Sequence, residues 1–186
     1  MAIRKIITLD DQGSEVLHKV CRPVENFDQR LASLLDDMKE TLDKADGLGL
    51  AAPQIGILKR VAIVRYDDKE YEVVNPTILK TDGVSVDDEG CLSVREQRGL
   101  VERPYYVKLE FFDRNGNKQT VEADGYFARV FFHELDHLDG NVFVDKALRD
   151  KKGRILTYDD LQQMQEKQQA KNKKKSKSKR KKSVNN

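Results

Sequence analysis

Residues 133–140 read HELDHLDG. His133 and His137 stand four apart, with Glu134 directly after the first. On an α-helix, positions i and i+4 share a face, about 5–6 Å apart at Cβ. Two imidazoles placed so can point at one metal ion. Glu134 lies about 100° further round the helix, which sets its carboxylate beside such an ion rather than on it. Two nitrogen ligands with one adjacent base form the H-E-x-x-H pattern of metal-dependent hydrolysis. The plainer alternative is a pair of ordinary histidines on a helix face.

A catalytic site of this kind needs three protein ligands and one open position. Downstream, Asp139 is only two residues past His137 and faces away on the same helix, whereas Asp145 is within reach. Upstream stands Cys91 in EGCLSV. A thiolate is a strong ligand for this class of metal, and Gly90 before it lets a backbone approach closely.

Other elements must position these groups. Tyr126, Phe127, Ala128, Val130, Phe131 and Phe132 make the start of the histidine segment apolar nearly all round, which predicts a buried helix. Asp124 is suited to cap its start and Gly140 to stop it. Leu31, Leu34, Leu35, Met38 and Leu42 form a helical stripe, with Asn26 or Asp28 as cap and Gly47 past its end. GLGLAAPQIG, residues 47–56, is too small and glycine-rich for a regular helix or a strong strand. RVAIVRY reads as a strand, and YEVVNPTILK as a strand broken at Asn75-Pro76. VKLEFFD and KQTVEAD flank Asn115-Gly116, a hairpin signal. Strands preceding one buried helix predict an α+β fold, with antiparallel sheets wrapped around the central helix that carries H-E-x-x-H.

A chain of 186 residues is one domain with room for an appendage. Its net charge of +2 hides an asymmetry. Gln162 to Asn186 holds ten Lys or Arg and one acid, or +9; Met1 to Leu161 holds 24 basic and 31 acidic residues, or −7. The expected division is a catalytic domain over 1–160 and a basic tail over 161–186, helical and then disordered. No apolar run approaches a membrane span or a signal peptide, so a cytoplasmic location without membrane contact is expected. Cys21 and Cys91 are then free thiols, although their number alone permits one disulfide.

Three segments carry a resemblance: GLGLAAPQ at 47–54, EGCLS at 89–93 and HELDH at 133–137. In this order and spacing they resemble the three motifs of the peptide deformylases, over roughly Leu17 to Leu148. EADG before the histidine helix also fits. The resemblance implies one divalent metal ion, natively Fe2+ in many members, with Zn2+, Ni2+ or Co2+ as alternatives. It implies Cys91, His133 and His137 as ligands and removal of the formyl group from nascent formyl-methionyl polypeptides by a monomer. Glu134 would take a proton from metal-bound water and return it to the leaving amine. Gln54 and the Leu92 backbone N–H would steady the formyl oxygen. Leu48, Gly49, Glu89, Gly90, Arg98 and Val130 would border the substrate, with Leu48 and Val130 around the methionine and Glu89 also orienting a ligand or loop. Some positions depart from the common pattern. Arg95 stands where proline is usual, Phe132 where glutamine is frequent, and the LDDQGSEV segment where many relatives have Asp-Pro.

Two rival functions share these features. A metallopeptidase would use the same helix with a downstream third ligand. A ribosome- or RNA-binding protein would use the basic tail, its metal site being only structural and closed by four ligands. Asp136 should form an ion pair, with Arg103 the candidate partner. His18 and Cys21 read as structural.

Overall fold

The computed structural model describes residues 2–167 and 169. Helix α1 (Gln29–Ala45) buries Leu31, Leu34, Leu35, Met38 and Leu42 along one stripe. Of the two candidate caps, Asp28 is the one used: its carboxylate accepts from the N–H groups of Arg30 and Leu31. The helix ends on Asp46 in the left-handed region, φ 52°, one residue before Gly47. Aspartate tolerates that conformation better than most residues.

GLGLAAPQIG forms a three-residue strand, β1 (Gly49–Ala51), and then a 3-10 turn at Ala52–Ile55. Strands β2 (Val61–Tyr66) and β3 (Lys69–Asp82) follow. After them come β4 (Ser85–Cys91), β5 (Val94–Arg103), β6 (Tyr106–Phe112) and β7 (Lys118–Asp124). β1, β2, β3, β6 and β7 make one sheet in that order, every pair antiparallel. β4 and β5 form a separate hairpin. Helix α2 (Gly125–Leu138) carries the H-E-x-x-H segment, and the short α3 (Phe143–Lys146) follows.

β2 shows why the sheet is central. Its side chains alternate between faces, as strand geometry requires. Val61 and Ile63 pack with α1, while Ala62 and Val64 pack with Phe131, Leu135 and Leu138 of α2. Both faces are covered, so the strand is apolar without a polar alternation. Val94 and Val101 of β5 pack instead on Phe143 and Ala147.

Two local expectations differ from the outcome, and a third is met through a longer turn. β3 is not broken at Asn75-Pro76; it runs through, with a register shift between Val74 and Thr77. Asn75 takes φ 49° there, and its side-chain amide accepts from Val24 N–H and donates to Val24 C=O, both at 2.8 Å. Asp124 sits at the N-cap of α2 but makes no capping bond with its side chain. The β6–β7 hairpin forms, yet its turn spans 113–117. Gly116 is the left-handed residue in it, at φ 78°, and the Asp113 carboxylate binds the N–H groups of Asn115 and Asn117. Residues 158–167 are helical; the basic run Lys171–Asn186, for which the sequence predicts disorder, lies outside the described residues. No helix among the described residues is long and apolar enough to cross a membrane.

Asn75→Ala removes both bonds to Val24 and puts alanine, which tolerates left-handed backbone less well than asparagine, at φ 49°. The expected loss of stability is about 2–3 kcal/mol, from roughly 1 for each bond and about 1 for the backbone. Urea unfolding of the two proteins measures it; a loss under about 0.5 kcal/mol would show that the bulge does not depend on this side chain.

Candidate metal centre

Arg129, His133 and His137 follow one another at i, i+4 and i+8 along α2, and all three point toward the β4–β5 hairpin. The hairpin brings Cys91 to them. β4 ends at Cys91, and Leu92 and Ser93 turn the chain back into β5. Cys91 Sγ lies 3.2 Å from His137 Nε2. One donor atom from each of Cys91, His133 and His137 falls within 4.8 Å of the others. Neither downstream aspartate joins them. Asp139 pairs with Arg60 at 2.6 Å, and Asp145 accepts from Val142 N–H and lies 3.8 Å from His18.

The surroundings suit a cation. His133 Nδ1 is 2.9 Å from Glu89 Oε2, so with its proton on Nδ1 the lone pair of Nε2 is free. Cys91 Sγ receives the Ser93 N–H at 3.4 Å and the Gln54 amide at 3.6 Å. Burial disfavours charge on His133, but its bonds to Cys91 and Glu89 and the nearby negative groups outweigh this and lift its pKa to about 10. The pocket thus favours positive charge where the donors converge. His137, fully buried, is pushed well below its ordinary value by burial and by the charges of His133 and Arg103, and so stays neutral. One thiolate and two imidazoles, with no fourth such donor among the described residues, fit a single divalent ion with a position left open.

Glu134 is 3% exposed, and its Oε2 finds no partner among the described residues. Burial raises its pKa to about 7, a value matched to proton transfer near neutrality. Its place depends on Gly49. A Cβ built there would stand 2.1 Å from Glu134 Oε1 and 2.6 Å from its carboxyl carbon. The glycine is therefore required by the protein's own carboxylate.

A cleft of about 500 Å³ opens over these groups. Leu48, Gly49, Gln54, Gly90, Leu92, Arg98 and Val130, all anticipated as site residues, line it, and so does Tyr126. Leu48 is 46% exposed at the mouth, whereas Val130 is buried. Gln54 Nε2 also donates to the buried Ser93 Oγ at 3.1 Å, and its Oε1 accepts from Ala51 N–H at 2.8 Å. Arg98 pairs with Asp88 and lies over Gly90. Glu89 borders the cleft too, but both its oxygens are held by protein groups, with Arg103 and Arg129 joining His133. Burial would raise the Glu89 carboxyl, yet the bonds from His133 and Arg103 hold it well below the usual range. Asp136 pairs with Arg103, as anticipated. His18 and Cys21 lie outside the cluster and the cleft lining. Both cysteines are free, and burial pushes the Cys21 thiol up to about 11.

Sequence reading missed Arg129 and Ser93. Arg129 did carry a signal: it is a lone arginine in an apolar helical stretch, four residues before the first histidine. Ser93 carried none.

Comparison with known proteins decides the family. The model of the polypeptide deformylase family matches residues 3–153. The chain belongs to the polypeptide deformylase family. Among relatives, the peptide deformylase of Caldicellulosiruptor bescii is 52% identical over 149 residues, 80% of this chain and 88% of that protein. Peptide deformylase 1 of Clostridium acetobutylicum is 50% identical over 146 residues, 78% of this chain and 95% of its own. The crystal structure of the Thermotoga maritima peptide deformylase superposes with a TM-score of 0.75 at 37% identity, covering 78% of this chain and 98% of that one. The Synechococcus elongatus peptide deformylase, solved in complex with actinonin, gives 0.75 at 35%, covering 81% of each. Membership in this deformylase family makes the chain a metal-dependent enzyme.

Two outcomes follow from this geometry. Gly49→Ala should displace the Glu134 carboxylate and lower kcat by about 10²-fold while metal content stays the same, since misplacement of about 1 Å costs that much; steady-state turnover with metal analysis reads both, and an unaffected kcat would mean that the carboxylate's position is immaterial. The second concerns pH. Glu134 has a folded pKa of about 7, above its ordinary 4.5. Its protonated form is therefore favoured by folding, and that contribution is full below about 4.5 and lost as pH rises through 7. Metal-free Glu134→Gln should then be more stable than metal-free wild type at pH 8, by on the order of 3 kcal/mol, and gain little at pH 4.5. Thermal melts at the two pH values decide it, and an equal difference at both would refute the shift.

Proposed function

We propose that the chain removes the formyl group from N-formyl-methionyl polypeptides, releasing formate. The observation that carries this reading is the buried Glu134 carboxylate, whose Oε2 has no partner among the described residues, beside a cysteine and two histidines in an open cleft. Cys91, His133 and His137 would hold one divalent ion, which supplies Lewis acidity at the reacting carbonyl; Fe2+ is the proposed native ion, with Zn2+, Ni2+ and Co2+ as substitutes. Glu134 acts as general base toward the attacking water and then as general acid toward the departing amine. Gln54 Nε2 and the Leu92 backbone N–H donate to the formyl oxygen as negative charge grows on it.

The cleft binds the substrate as an added strand. β1 is the outermost strand of its sheet; Gln54 Oε1 takes the Ala51 N–H, and the outer edge at Gly49 is available for backbone pairing with an extended peptide. Leu48 and Val130 enclose the methionine side chain, Gly90 forms the opposite wall, and Arg98 meets the peptide further along. Glu89 serves by orienting His133. The catalytic domain is assigned to 1–160 and acts as a monomer in the cytoplasm, with 161–186 as a basic tail.

Formate release from a formyl-methionyl tripeptide tests the activity. Glu134→Gln should keep its metal and lose at least about 10²-fold in kcat, the usual contribution of such a group. Cys91→Ala should lose the metal altogether, whereas a metallopeptidase with a downstream ligand would keep it. Full turnover by metal-replete Glu134→Gln would remove the assignment of the base.

The tail carries +9 against −7 on the rest of the chain, and we propose that it contacts ribosomal RNA near emerging nascent chains. Deleting Lys171–Asn186 removes nine of its ten positive charges. Turnover of a short peptide should be unchanged, while ribosome affinity in sedimentation assays falls and the wild-type affinity drops steeply with salt. Equal affinity of the two proteins at every salt concentration would exclude the tail as the contact.

A further inference from the structure

Arg129 takes no part in the chemistry above, yet it is 2% exposed and both terminal nitrogens of its guanidinium are hydrogen-bonded. Nη1 donates to Glu89 Oε1 and Val101 C=O, each at 2.8 Å, and to Asp87 C=O at 3.5 Å. Nη2 donates to Ser85 C=O at 3.1 Å and Ser85 Oγ at 3.0 Å. Ser85, Asp87 and Glu89 belong to β4 and Val101 to β5. One side chain from α2 therefore grips both strands of the hairpin that carries Cys91.

That grip matters because of the topology. The β4–β5 hairpin is not hydrogen-bonded into the five-stranded sheet. Its backbone bonds to the rest of the chain go to Leu9, Leu148 and Leu156, and its apolar side packs on Phe143 and Ala147, so none of these runs to α2 itself. The direct polar links between hairpin and α2 are those of Arg129, the Glu89–His133 bond, the Arg103–Asp136 pair and the Cys91–His137 contact. Arg129 also occupies Glu89 Oε1, which leaves Oε2 turned to His133. A planar guanidinium can meet a carboxylate and several carbonyls together, which an ammonium cannot.

We infer that Arg129 is a positioning residue for the metal ligands: it docks the hairpin onto α2 and so sets the distance of Cys91 from His133 and His137. The inference rests on the reading of these three residues as a cation site.

The test uses the full chain loaded with Co2+, whose absorption bands report ligand geometry. Arg129→Met should fold, show altered thiolate charge-transfer and d–d bands, and surrender Co2+ to a chelator about 10–100-fold faster than wild type, the range typical of groups that orient metal ligands. Its kcat should fall with little change in KM. Arg129→Lys should lie between the two, since it meets Glu89 but cannot span to Ser85 and Val101. Asn75→Ala, destabilised far from the site, is the control and should keep the wild-type spectrum and release rate.

Wild-type spectrum and release in Arg129→Met would overturn the inference, as would equal changes in the Asn75→Ala control. Should Arg129→Met not fold, Arg129→Lys decides by the same two readouts, and identity with wild type overturns the inference. Wild type that binds Co2+ through a thiolate but releases no formate would defeat the proposed activity and leave this inference standing. Wild type that binds no Co2+ through Cys91 would defeat both.

Discussion

A carboxylate with almost no water around it must be bound by donors or give up its charge. Glu89 keeps its charge because three side chains reach it, His133 and Arg129 from α2 and Arg103 from the end of β5. Each bond joins the hairpin to something else or braces the hairpin itself. The cost of burying so many charges is high, and removal of one partner from such a cluster typically costs about 3–5 kcal/mol. An apolar core of the same shape could give equal stability. What it could not give is a fixed tautomer and a fixed direction for an imidazole. The polar cluster is best understood as a device for orientation, and the Cys91–His133–His137 group stands at the end of it.

The same cluster explains why the apolar core lies where it does. The five-stranded sheet is filled on one face by α1 and on the other by α2, so α2 is held along its apolar flank by Phe131, Leu135 and Leu138. Its histidine flank is thereby aimed away from the sheet, at the hairpin. Two unlike interactions thus share one helix. Dispersion and water exclusion fix where the helix sits, and directional bonds fix what its reactive face meets.

How much of this was legible in the sequence depended on range. Helix α1 was visible because its five apolar residues repeat at helical spacing, and the hairpin at Asn115-Gly116 because turn chemistry is local. His133, Glu134 and His137 were visible for the same reason: one helix turn brings them together. Cys91 was not deducible from spacing, since 46 residues separate it from His137; the motif resemblance supplied it. Asn75 misled, because a proline after a turn-forming residue normally ends a strand, and only the distant Val24 backbone rewards the bulge. The side-chain bonds of Arg129 and Ser93 go to partners 28 to 44 residues away, which no local pattern encodes. Gly49 was read as space for a substrate; its need for the Glu134 carboxylate could be seen only in three dimensions.

The outer edge of β1 has a further meaning for selectivity. Unpaired strand edges invite other chains to add to them, and proteins usually blunt them. Here the edge is only three residues long and is cut off by the 3-10 turn at Ala52–Ile55, and of its residues Gly49 lines the cleft. So short an edge can pair with a few residues of one extended chain but cannot template a second sheet, so it selects against aggregating partners without having to be covered.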